Sequence, residues 1–208
     1  MSFRFEEKII FHISDYYKLR KFINDSGGND LYSKRKISSL YFDNNHNDMY
    51  LDSEEGTLPR KKLRIRKYPN SDKKELFFET KISSVEGRFK SVKKINVKDY
   101  NGLLKKGYFD SIYGFCFPKI EISYYREYFS FFEQRLTLDS FLKYKCFKSN
   151  RSIMDKEILI LEIKSNNFIS VELFKNAVPF QRLRLSKYCS GINILFNKDE
   201  YQRLNQVV

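Results

Sequence analysis

The sequence predicts an α+β protein built mainly from antiparallel β-strands. Short strand-forming stretches alternate with turn signals along most of the chain, and only a few segments have helical spacing. Six strand-like segments also carry charged or hydroxyl side chains at every second position, and side chains two apart on a strand point to the same face. These segments are 4–8, 64–66, 79–81, 124–126, 135–139 and 162–164. We therefore expect a barrel or a strongly curved sheet with one face built to hold ions.

The first half of the chain is predicted to contain five strands and two helices. Helix 15–25 would begin at a cap formed by Ser14 or Asp15, and the Gly-containing segment 26–30 would follow it as a loop. Strand 37–42 would end at the polar cluster 43–48. The strands are expected at 3–12, 37–42, 61–67, 76–82 and 88–95, with a hairpin turn at 68–72 and a second helix at 97–106.

The second half is predicted to continue the sheet and to end in helices. We expect a hairpin from 119–129 and 132–138, a strand at 158–164, a helix at 169–177 that stops before Pro179, and a final helix at 186–196. No change in composition marks a second domain. Residues 1–208 are therefore expected to form one domain.

The overall charge indicates an anionic partner. The chain has 208 residues with 39 basic and 26 acidic side chains, a formal net charge of +13. Nucleic acid, phosphorylated molecules, polyphosphate and acidic membranes would all fit this charge. A nucleic-acid partner is not expected, because acids are interleaved with the cations. A transmembrane helix is not expected either, because no run of about 18 apolar residues occurs, and a cytoplasmic location is the default expectation.

The alternating cations are candidate phosphate ligands. Arg64 and Arg66 share one strand face, where paired guanidinium groups can bind phosphate oxygens. Cations on other strands could join them: Lys8, Lys81, Arg126 and Lys164, with Lys90, Lys93 or Lys94 nearby. Such charges inside a barrel would repel each other unless a polyanion such as a triphosphate lay between them. Taken singly, each could instead be a solvated surface residue.

The acids on the same faces are candidate metal ligands. Glu6, Glu79, Asp139 and Glu162 offer the hard oxygen atoms that suit Mg²⁺ or Mn²⁺ together with substrate phosphates. The alternative is that each acid simply pairs with a neighbouring lysine or arginine.

A basic segment near the C-terminus could form an anion site. If Ser186 begins the last helix, its hydroxyl group and the free backbone amides would face an anion, and Arg184 and Lys187 would add positive charge. An ordinary capped helix with basic flanks is the alternative. Phosphate-binding P-loops and Gly-x-Ser-x-Gly nucleophile elbows are absent from the sequence.

In order and spacing, these segments resemble the VTC domain, the polyphosphate polymerase branch of the triphosphate tunnel (CYTH-like) enzymes. The resemblance runs from Arg4 to about Phe196 and depends on segments 4–8, 40–43, 62–68, 78–81, 124–126, 135–139, 161–164 and 186–188. It implies an eight-stranded antiparallel tunnel with flanking helices. Hydrolytic tunnel enzymes typically have a Glu-x-Glu-x-Lys motif in the first strand. In this chain Arg4 stands at the position of the first Glu, and an Arg there resembles the polymerase branch.

The resemblance also implies roles for individual residues. The triphosphate or the growing chain would be held by Lys8, Arg64, Arg66, Lys81, Arg126 and Lys187, assisted by Tyr124, Arg184 and Ser186, with Lys94 as a further match. Glu162 matches the family's metal ligand for Mn²⁺ or Mg²⁺, and Glu6 and Glu79 would support it.

The implied activity is transfer of the γ-phosphate of ATP to the end of a polyphosphate chain, with release of ADP. Polymerases of this type often work beside membrane proteins, which would here be a separate chain. Two alternatives stay open: a metal-dependent triphosphatase on the same fold, and a non-catalytic module that binds polyphosphate or inositol phosphates.

Overall fold

A long, twisted antiparallel sheet dominates the computed structural model of the protein. The structure describes residues 5–132, 134–165, 174, 181–182 and 185–196. Its strands are β1 (Phe5–His12), β2 (Asn29–Asp43), β3 (Arg60–Lys67), β4 (Leu76–Ser84), β5 (Gly87–Ile95), β6 (Tyr108–Asp110), β7 (Gly114–Phe131), β8 (Gln134–Cys146), β9 (Ser152–Asp155), β10 (Ile158–Ser165) and β11 (Gln181–Arg182). Its helices are α1 (Tyr16–Asp25), α2 (Asp48–Glu55), α3 (Val97–Lys106) and α4 (Lys187–Phe196), and a 3-10 turn spans Ile13–Asp15.

Eight strands form a continuous antiparallel run in the order β1–β10–β8–β7–β2–β3–β4–β5. The two-residue strand β11 pairs with β1. Strand β6 pairs with β7, and β9 pairs with β8. The predicted fold class, mainly antiparallel β with a few flanking helices, is confirmed. Among the described strands the sheet is not closed by backbone pairing, however, because β5 and β11 lie at opposite ends of the path. Arg88 of β5 nevertheless approaches Glu6 of β1, with Nη1 and Oε2 3.7 Å apart.

The sheet has two faces of different character. We call the face that carries Tyr124, Arg126 and Glu162 the inner face, and the opposite face the outer face. Along β7 the inner side chains change from Ile120 and Ile122 to Tyr124 and Arg126, so one half of this face is apolar and the other charged. Helix α4 packs against the apolar half, where its Tyr188, Ile192 and Leu195 join one hydrophobic cluster with the β7 isoleucines.

The remaining helices cover the outer face. Leu19 and Ile23 of α1 pack in a cluster with Ile9, Leu159 and Phe129 of β1, β10 and β7. Met49 of α2 lies in another cluster with apolar side chains of β3 and β4, and α3 packs at its edge. Helices thus bury the outer face and the apolar half of the inner face. The charged half of the inner face remains as the polar interior of the protein.

Several predicted elements are confirmed with small shifts of boundary. The 61–67 and 76–82 hairpin is present as β3 and β4, 88–95 is present as β5, and 97–106 matches α3. Strand 158–164 is β10, and 186–196 corresponds to α4. The predicted pair 119–129 and 132–138 is longer in the structure, where it forms β7 and β8. The predicted helix 169–177 lies outside the described residues, apart from Phe174.

Two local predictions are wrong. Strand β2 begins at Asn29, inside the segment expected to be a loop, because the turn is completed by Gly27 with φ of 84°. Neither Ser14 nor Asp15 caps α1 with its side chain; the 3-10 turn precedes it, and His12 Nδ1 accepts a hydrogen bond from the Ser14 amide instead.

Helix α2 was not predicted, because its sequence is mostly polar and lies directly after a polar cluster. The buried carboxylate of Asp43 holds its start, with Oδ1 accepting from the Met49 amide at 3.0 Å and Oδ2 from the Tyr50 amide at 2.9 Å. Side-chain acceptors of this kind stabilise a helix start without any apolar periodicity. No helix in the described part of the chain is both long and apolar enough to cross a membrane.

Candidate functional site

The charged half of the inner face is built by alternation on six neighbouring strands. Directly opposite residues of an antiparallel pair share a face, so Arg64 of β3 stands beside Glu79 of β4, and Lys62 beside Lys81. The same rule places Arg126 of β7 beside Asp139 of β8, Lys8 of β1 beside Glu162 of β10, and Glu6 beside Lys164. The structure thus brings most of the residues predicted from the sequence onto one surface.

The first cluster of this surface is centred on the buried carboxylate of Glu79. Its Oε2 accepts a hydrogen bond from Arg64 Nε at 2.7 Å, and its Oε1 accepts one from Lys90 Nζ at 2.8 Å. Arg64 also donates through Nη1 to the Tyr41 hydroxyl at 2.9 Å. Arg66 is held more loosely, with Nη1 3.9 Å from Glu79 Oε1. Arg64 is therefore fixed by close bonds, whereas Arg66 is not.

The pKa values of this cluster reflect the buried ion pairs. Burial alone would raise the pKa of Glu79, but Arg64, Arg66 and Lys90 lower it to about 2. Burial likewise opposes ionisation of Tyr41, yet Arg64 and Arg66 lower the pKa of its hydroxyl below the ordinary value. Positive charge therefore dominates the electrostatic potential at this point of the sheet.

The second cluster is centred on Asp139, which is fully buried. Its Oδ2 accepts hydrogen bonds from Arg126 Nη2 and Lys187 Nζ, both at 2.7 Å. Arg126 Nη2 also reaches Glu162 Oε2 at 3.2 Å, and Lys164 Nζ lies 3.0 Å from the other oxygen of Glu162. Lys187 is the first residue of α4, so this network fastens the C-terminal helix to the charged interior.

Both acids of the second cluster stay ionised despite their burial. Burial would raise the pKa of Asp139, but Arg126 and Lys187 bring it below its ordinary value. Burial acts in the same direction on Glu162, and Arg126, Lys164 and Lys8 hold its pKa well below the usual range. Burial would lower the pKa of Lys187, whereas Asp139 raises it above the ordinary value.

Two half-buried lysines between the clusters have little negative charge beside them. Burial, with Arg64 nearby, lowers the pKa of Lys81 to about 7, although Glu6 and Glu162 act in the opposite direction. Burial also lowers the pKa of Lys62, whose Nζ donates to the Ser186 hydroxyl at 2.8 Å. A phosphate group between these lysines would supply the missing negative charge.

Residues Lys8, Glu6 and Ser186 complete the side of the surface that faces β1 and α4. Lys8 Nζ donates to the Leu185 carbonyl at 3.2 Å and lies 3.6 Å from Glu6 Oε1. Ser186 precedes α4, and its hydroxyl accepts from the Cys189 amide at 3.3 Å, so it caps the helix as both alternatives required, while its contact with an anion stays a prediction. Arg184, predicted to assist here, lies outside the described residues.

Of the predicted phosphate ligands Tyr124 and Lys94, the first lies inside the site and the second lies at its edge. Tyr124 lies inside the site: Arg66 donates to its hydroxyl at 3.4 Å, and Lys187 Nζ is 5.0 Å from the centre of its ring. Lys94 lies at the far end of β5, where its exposed ammonium group is 2.7 Å from Glu75 Oε1. Lys90, considered beside it, is the β5 lysine that joins the Glu79 cluster.

Tyr41 and Lys62 were not predicted from the sequence to belong to the site. Asp139 was predicted only as a candidate metal ligand. Lys62 alternates with Arg64 and Arg66, so period-two spacing could have placed it on the same face. The role of Asp139 as a shared acceptor for Arg126 and Lys187 depends on a helix some fifty residues later in the chain. Spacing on one strand gives no signal for such a contact.

The acids do not form a metal cage by themselves. Among the described residues, no group of three or more His, Cys, Asp or Glu side chains is arranged to hold a metal ion. Glu6 and Glu162 nevertheless occupy diagonal positions on β1 and β10, because Glu6 lies opposite Lys164 and Lys8 opposite Glu162. Mg²⁺ usually takes only one or two protein carboxylates together with phosphate oxygens. The donors fit an ion of that kind, brought in with a phosphorylated ligand.

The chemistry available here is binding and charge neutralisation of an extended anion. Cations outnumber carboxylates on the described inner face, and most of them are buried or half-buried in a low-dielectric interior. No serine or cysteine nucleophile paired with a histidine is needed for chemistry between phosphate groups, which depends on positioning and electrostatics.

Comparison with known proteins agrees with this geometry. The family model of the VTC domain matches residues 3–196. A search of curated protein sequences found no match. The adenylyl cyclase candidate HpAC1 from Hippeastrum, described as having a dominant triphosphatase activity, superposes with a TM-score of 0.56 at 12% identity over 91% of this chain and 95% of its own.

An adenylate cyclase candidate from Bacillus halodurans gives a TM-score of 0.55 at 12% identity, covering 100% of this chain and 93% of its own. At such low identity these neighbours establish the fold alone, which is the triphosphate tunnel fold.

Proposed function

The chain belongs to the VTC domain family, and we propose that it is an ATP-dependent polyphosphate polymerase that works on the charged inner face of its sheet. The observation that carries this proposal is the set of inward-facing cations on β1, β3, β4, β7 and α4, which includes half-buried lysines that lack a full complement of negative charge. A linear polyphosphate chain is an anion that could contact all of these strands at once.

The proposed reaction is an in-line phosphoryl transfer between two phosphate chains. An oxygen of the terminal phosphate of the acceptor chain attacks the γ-phosphorus of ATP, the bond from that phosphorus to the β–γ bridging oxygen breaks, and ADP leaves. The acceptor is itself the nucleophile, so the protein contributes orientation and charge neutralisation.

Individual residues take roles that follow from how tightly each is held. Arg64 and Arg126 are fixed by Glu79 and Asp139, so they present preorganised guanidinium groups to phosphate oxygens. Other cations of the inner face are less tightly paired, and their side chains would move to contact the substrate phosphates. These are Arg66, Lys81, Lys8 and the remaining lysines of that face. We assign Glu79 first to orienting Arg64 and Lys90, whose hydrogen bonds to its two oxygens are 2.7 and 2.8 Å long, and its predicted support of the metal stays a prediction.

A divalent ion, Mn²⁺ or Mg²⁺, is part of the proposal. Glu162, with Glu6 diagonal to it, would hold the ion together with phosphate oxygens. Such an ion supplies neutralisation of phosphate charge and assistance to the leaving group.

The second candidate function is a metal-dependent triphosphatase, in which water replaces the acceptor phosphate. The description of HpAC1 as a protein with dominant triphosphatase activity favours this candidate on the same fold. A module that binds polyphosphate or inositol phosphates without turnover is the remaining alternative. A polymerase would bind ATP and polyphosphate. A triphosphatase would bind ATP or inorganic triphosphate.

The stoichiometry of products tests the proposal. Purified protein is incubated with ATP and Mn²⁺, and ADP and inorganic phosphate are quantified together. A polymerase forms ADP without an equal amount of free phosphate, whereas a triphosphatase forms the two in equal amounts. Equal amounts would reject the polymerase in favour of the hydrolase, and the absence of ADP with either metal would favour the binding module.

A further inference from the structure

A cavity lies on the outer face of the sheet, away from the charged half of the inner face. Its volume is about 610 Å³, and it is bordered by β2, β7 and β8, by the β3–β4 turn and by the first turn of α3. Ser38 and Ser123 contribute to it, whereas the adjacent Ser39 and Tyr124 point to the inner face. Because neighbouring residues on a strand point to opposite faces, the sheet itself separates this cavity, which we call the outer groove, from the inner site.

The outer groove has a strongly basic wall. Its lysines come from several elements: Lys36, Lys67, Lys74, Lys143 and Lys145. Lys67 is paired with Glu121, with Nζ and Oε1 2.8 Å apart, and Glu121 also accepts a hydrogen bond from Ser38. Within the described part of the chain, the other four lysines form no ion pair with a carboxylate. An anion is therefore the ligand that this wall would attract.

The opposite wall of the outer groove is aromatic and aliphatic. Tyr68 and Leu76 lie at the β3–β4 hairpin, while Val97 and Tyr100 come from the first turn of α3. The Tyr100 side chain is half-buried and Asn101 also borders the groove, whereas the Tyr68 ring packs towards the inner face, with its centre 6.2 Å from that of Phe77. A purely inorganic anion would leave such a wall unused, whereas a planar heterocycle can stack on a tyrosine ring.

We propose that the outer groove is a binding site for a nucleoside phosphate, such as ADP, distinct from the inner site. The lysines would bind the phosphates, the tyrosine and aliphatic wall would cover the base, and Ser123 and Asn101 would offer hydrogen-bonding groups. The cavity volume lies within the range of about 300 to 1,000 Å³ that is usual for small-molecule sites. This site does not depend on the proposed polymerase activity, because its lysines, Val97 and Tyr100 do not belong to the proposed inner site.

Photolabelling with 2-azido-ADP locates the bound nucleotide directly. After irradiation and digestion, we expect label on the peptide that contains Tyr100. The double variant K143E/K145E changes two exposed lysines of the groove and should weaken this labelling about tenfold, the effect of losing one charge-assisted hydrogen bond or more. The matched control K105E/K106E makes the same charge change at the other end of α3 and should label like the unchanged protein.

Two further outcomes decide the identity of the ligand. Tyr100→Ala should weaken ADP binding while leaving pyrophosphate binding unchanged, because only the nucleoside contacts the ring. Label confined to peptides of the inner site would overturn the proposal, as would equal labelling of K143E/K145E and the control. Displacement of the label by pyrophosphate as effectively as by ADP would also overturn it, since the nucleoside would then contribute nothing.

Discussion

Glu79 and Lys81 project from the same face of β4, two residues apart, and the pKa values of both are lowered, which keeps the acid charged and weakens the charge of the base. Burial opposes the charge of both, but the arginines beside Glu79 bring its pKa down to about 2, whereas burial and Arg64 bring that of Lys81 to about 7. The acid is thus permanently charged at neutral pH, and the base is near its midpoint. Lys81 is the group on the inner face whose charge is most open to control by a ligand.

Triphosphate binding should therefore be coupled to protonation of Lys81. A bound polyanion favours the ammonium form and raises the pKa of Lys81, so the affinity should fall as pH rises from about 7 to about 9, by up to about tenfold per pH unit. Calorimetric titration with tripolyphosphate over this range measures the effect. Lys81→Arg keeps the charge and should flatten the profile; equal slopes in both proteins would rule out Lys81 as the source.

Arg64 and Arg66 should differ sharply in what their removal does. Arg64→Ala leaves the buried Glu79 without its closest partner and should lower the free energy of unfolding by about 3 kcal/mol or more. Arg66 makes only long contacts, with Nη1 3.9 Å from Glu79, so Arg66→Ala should cost about 1 kcal/mol. Both should weaken tripolyphosphate binding. Urea unfolding and calorimetry measure the two effects, and equal losses of stability would contradict this division of roles.

Acid should remove the stability that Glu79 contributes. Its pKa is about 2 in the folded protein and 4.5 ordinarily, so its contribution is fully present above about pH 4.5 and is lost as pH falls towards 2. Glu79→Gln should be about 3 kcal/mol less stable at pH 7, and the difference from the unchanged protein should shrink below pH 4.5. Urea midpoints from pH 7 to pH 3 give the comparison, with exposed Glu86→Gln as control. If the difference in stability between Glu79→Gln and the unchanged protein stayed constant with pH, the ion pairs of Glu79 would not be its cause.

Glu162→Gln should separate turnover from binding. The neutral amide keeps the size of the side chain but removes the charge proposed to hold a divalent ion, so ATP consumption with Mn²⁺ should fall at least about a hundredfold. Binding of tripolyphosphate without metal should persist, because the surrounding cations remain. Glu121→Gln, on the outer face, is the matched control and should keep full turnover. Loss of metal-free binding in Glu162→Gln would show that Glu162 acts mainly by holding Arg126 and Lys164.

Local patterns in the sequence were sufficient to predict the sheet and most inward-facing residues. Period-two alternation placed Arg64, Glu79 and Glu162 on one charged surface because strand geometry decides which side chains share a face. The same reasoning predicted the β3–β4 hairpin. Helix α2 escaped prediction because Asp43 stabilises its start through side-chain acceptors and its sequence lacks an apolar stripe.

The pairing of charges could not be predicted in the same way. The sequence suggested mutually repelling cations inside a barrel, yet Glu79 and Asp139 each bind two cations from different elements. Which acid meets which cation depends on strand order and on the docking of α4, both of which are set by long-range packing. The open ends of the strand path also depend on how far β5 wraps towards β1, which no local pattern encodes.

The fate of the γ-phosphate tests the central claim most directly. The protein is incubated with ATP labelled on its γ-phosphate, with Mn²⁺ and with a short unlabelled polyphosphate as acceptor, and the products are separated by chain length. The polymerase account predicts that most transferred label appears in chains longer than the acceptor, and that Glu162→Gln abolishes this incorporation. Label that appears only as free phosphate, with the acceptor chains unchanged, would contradict it.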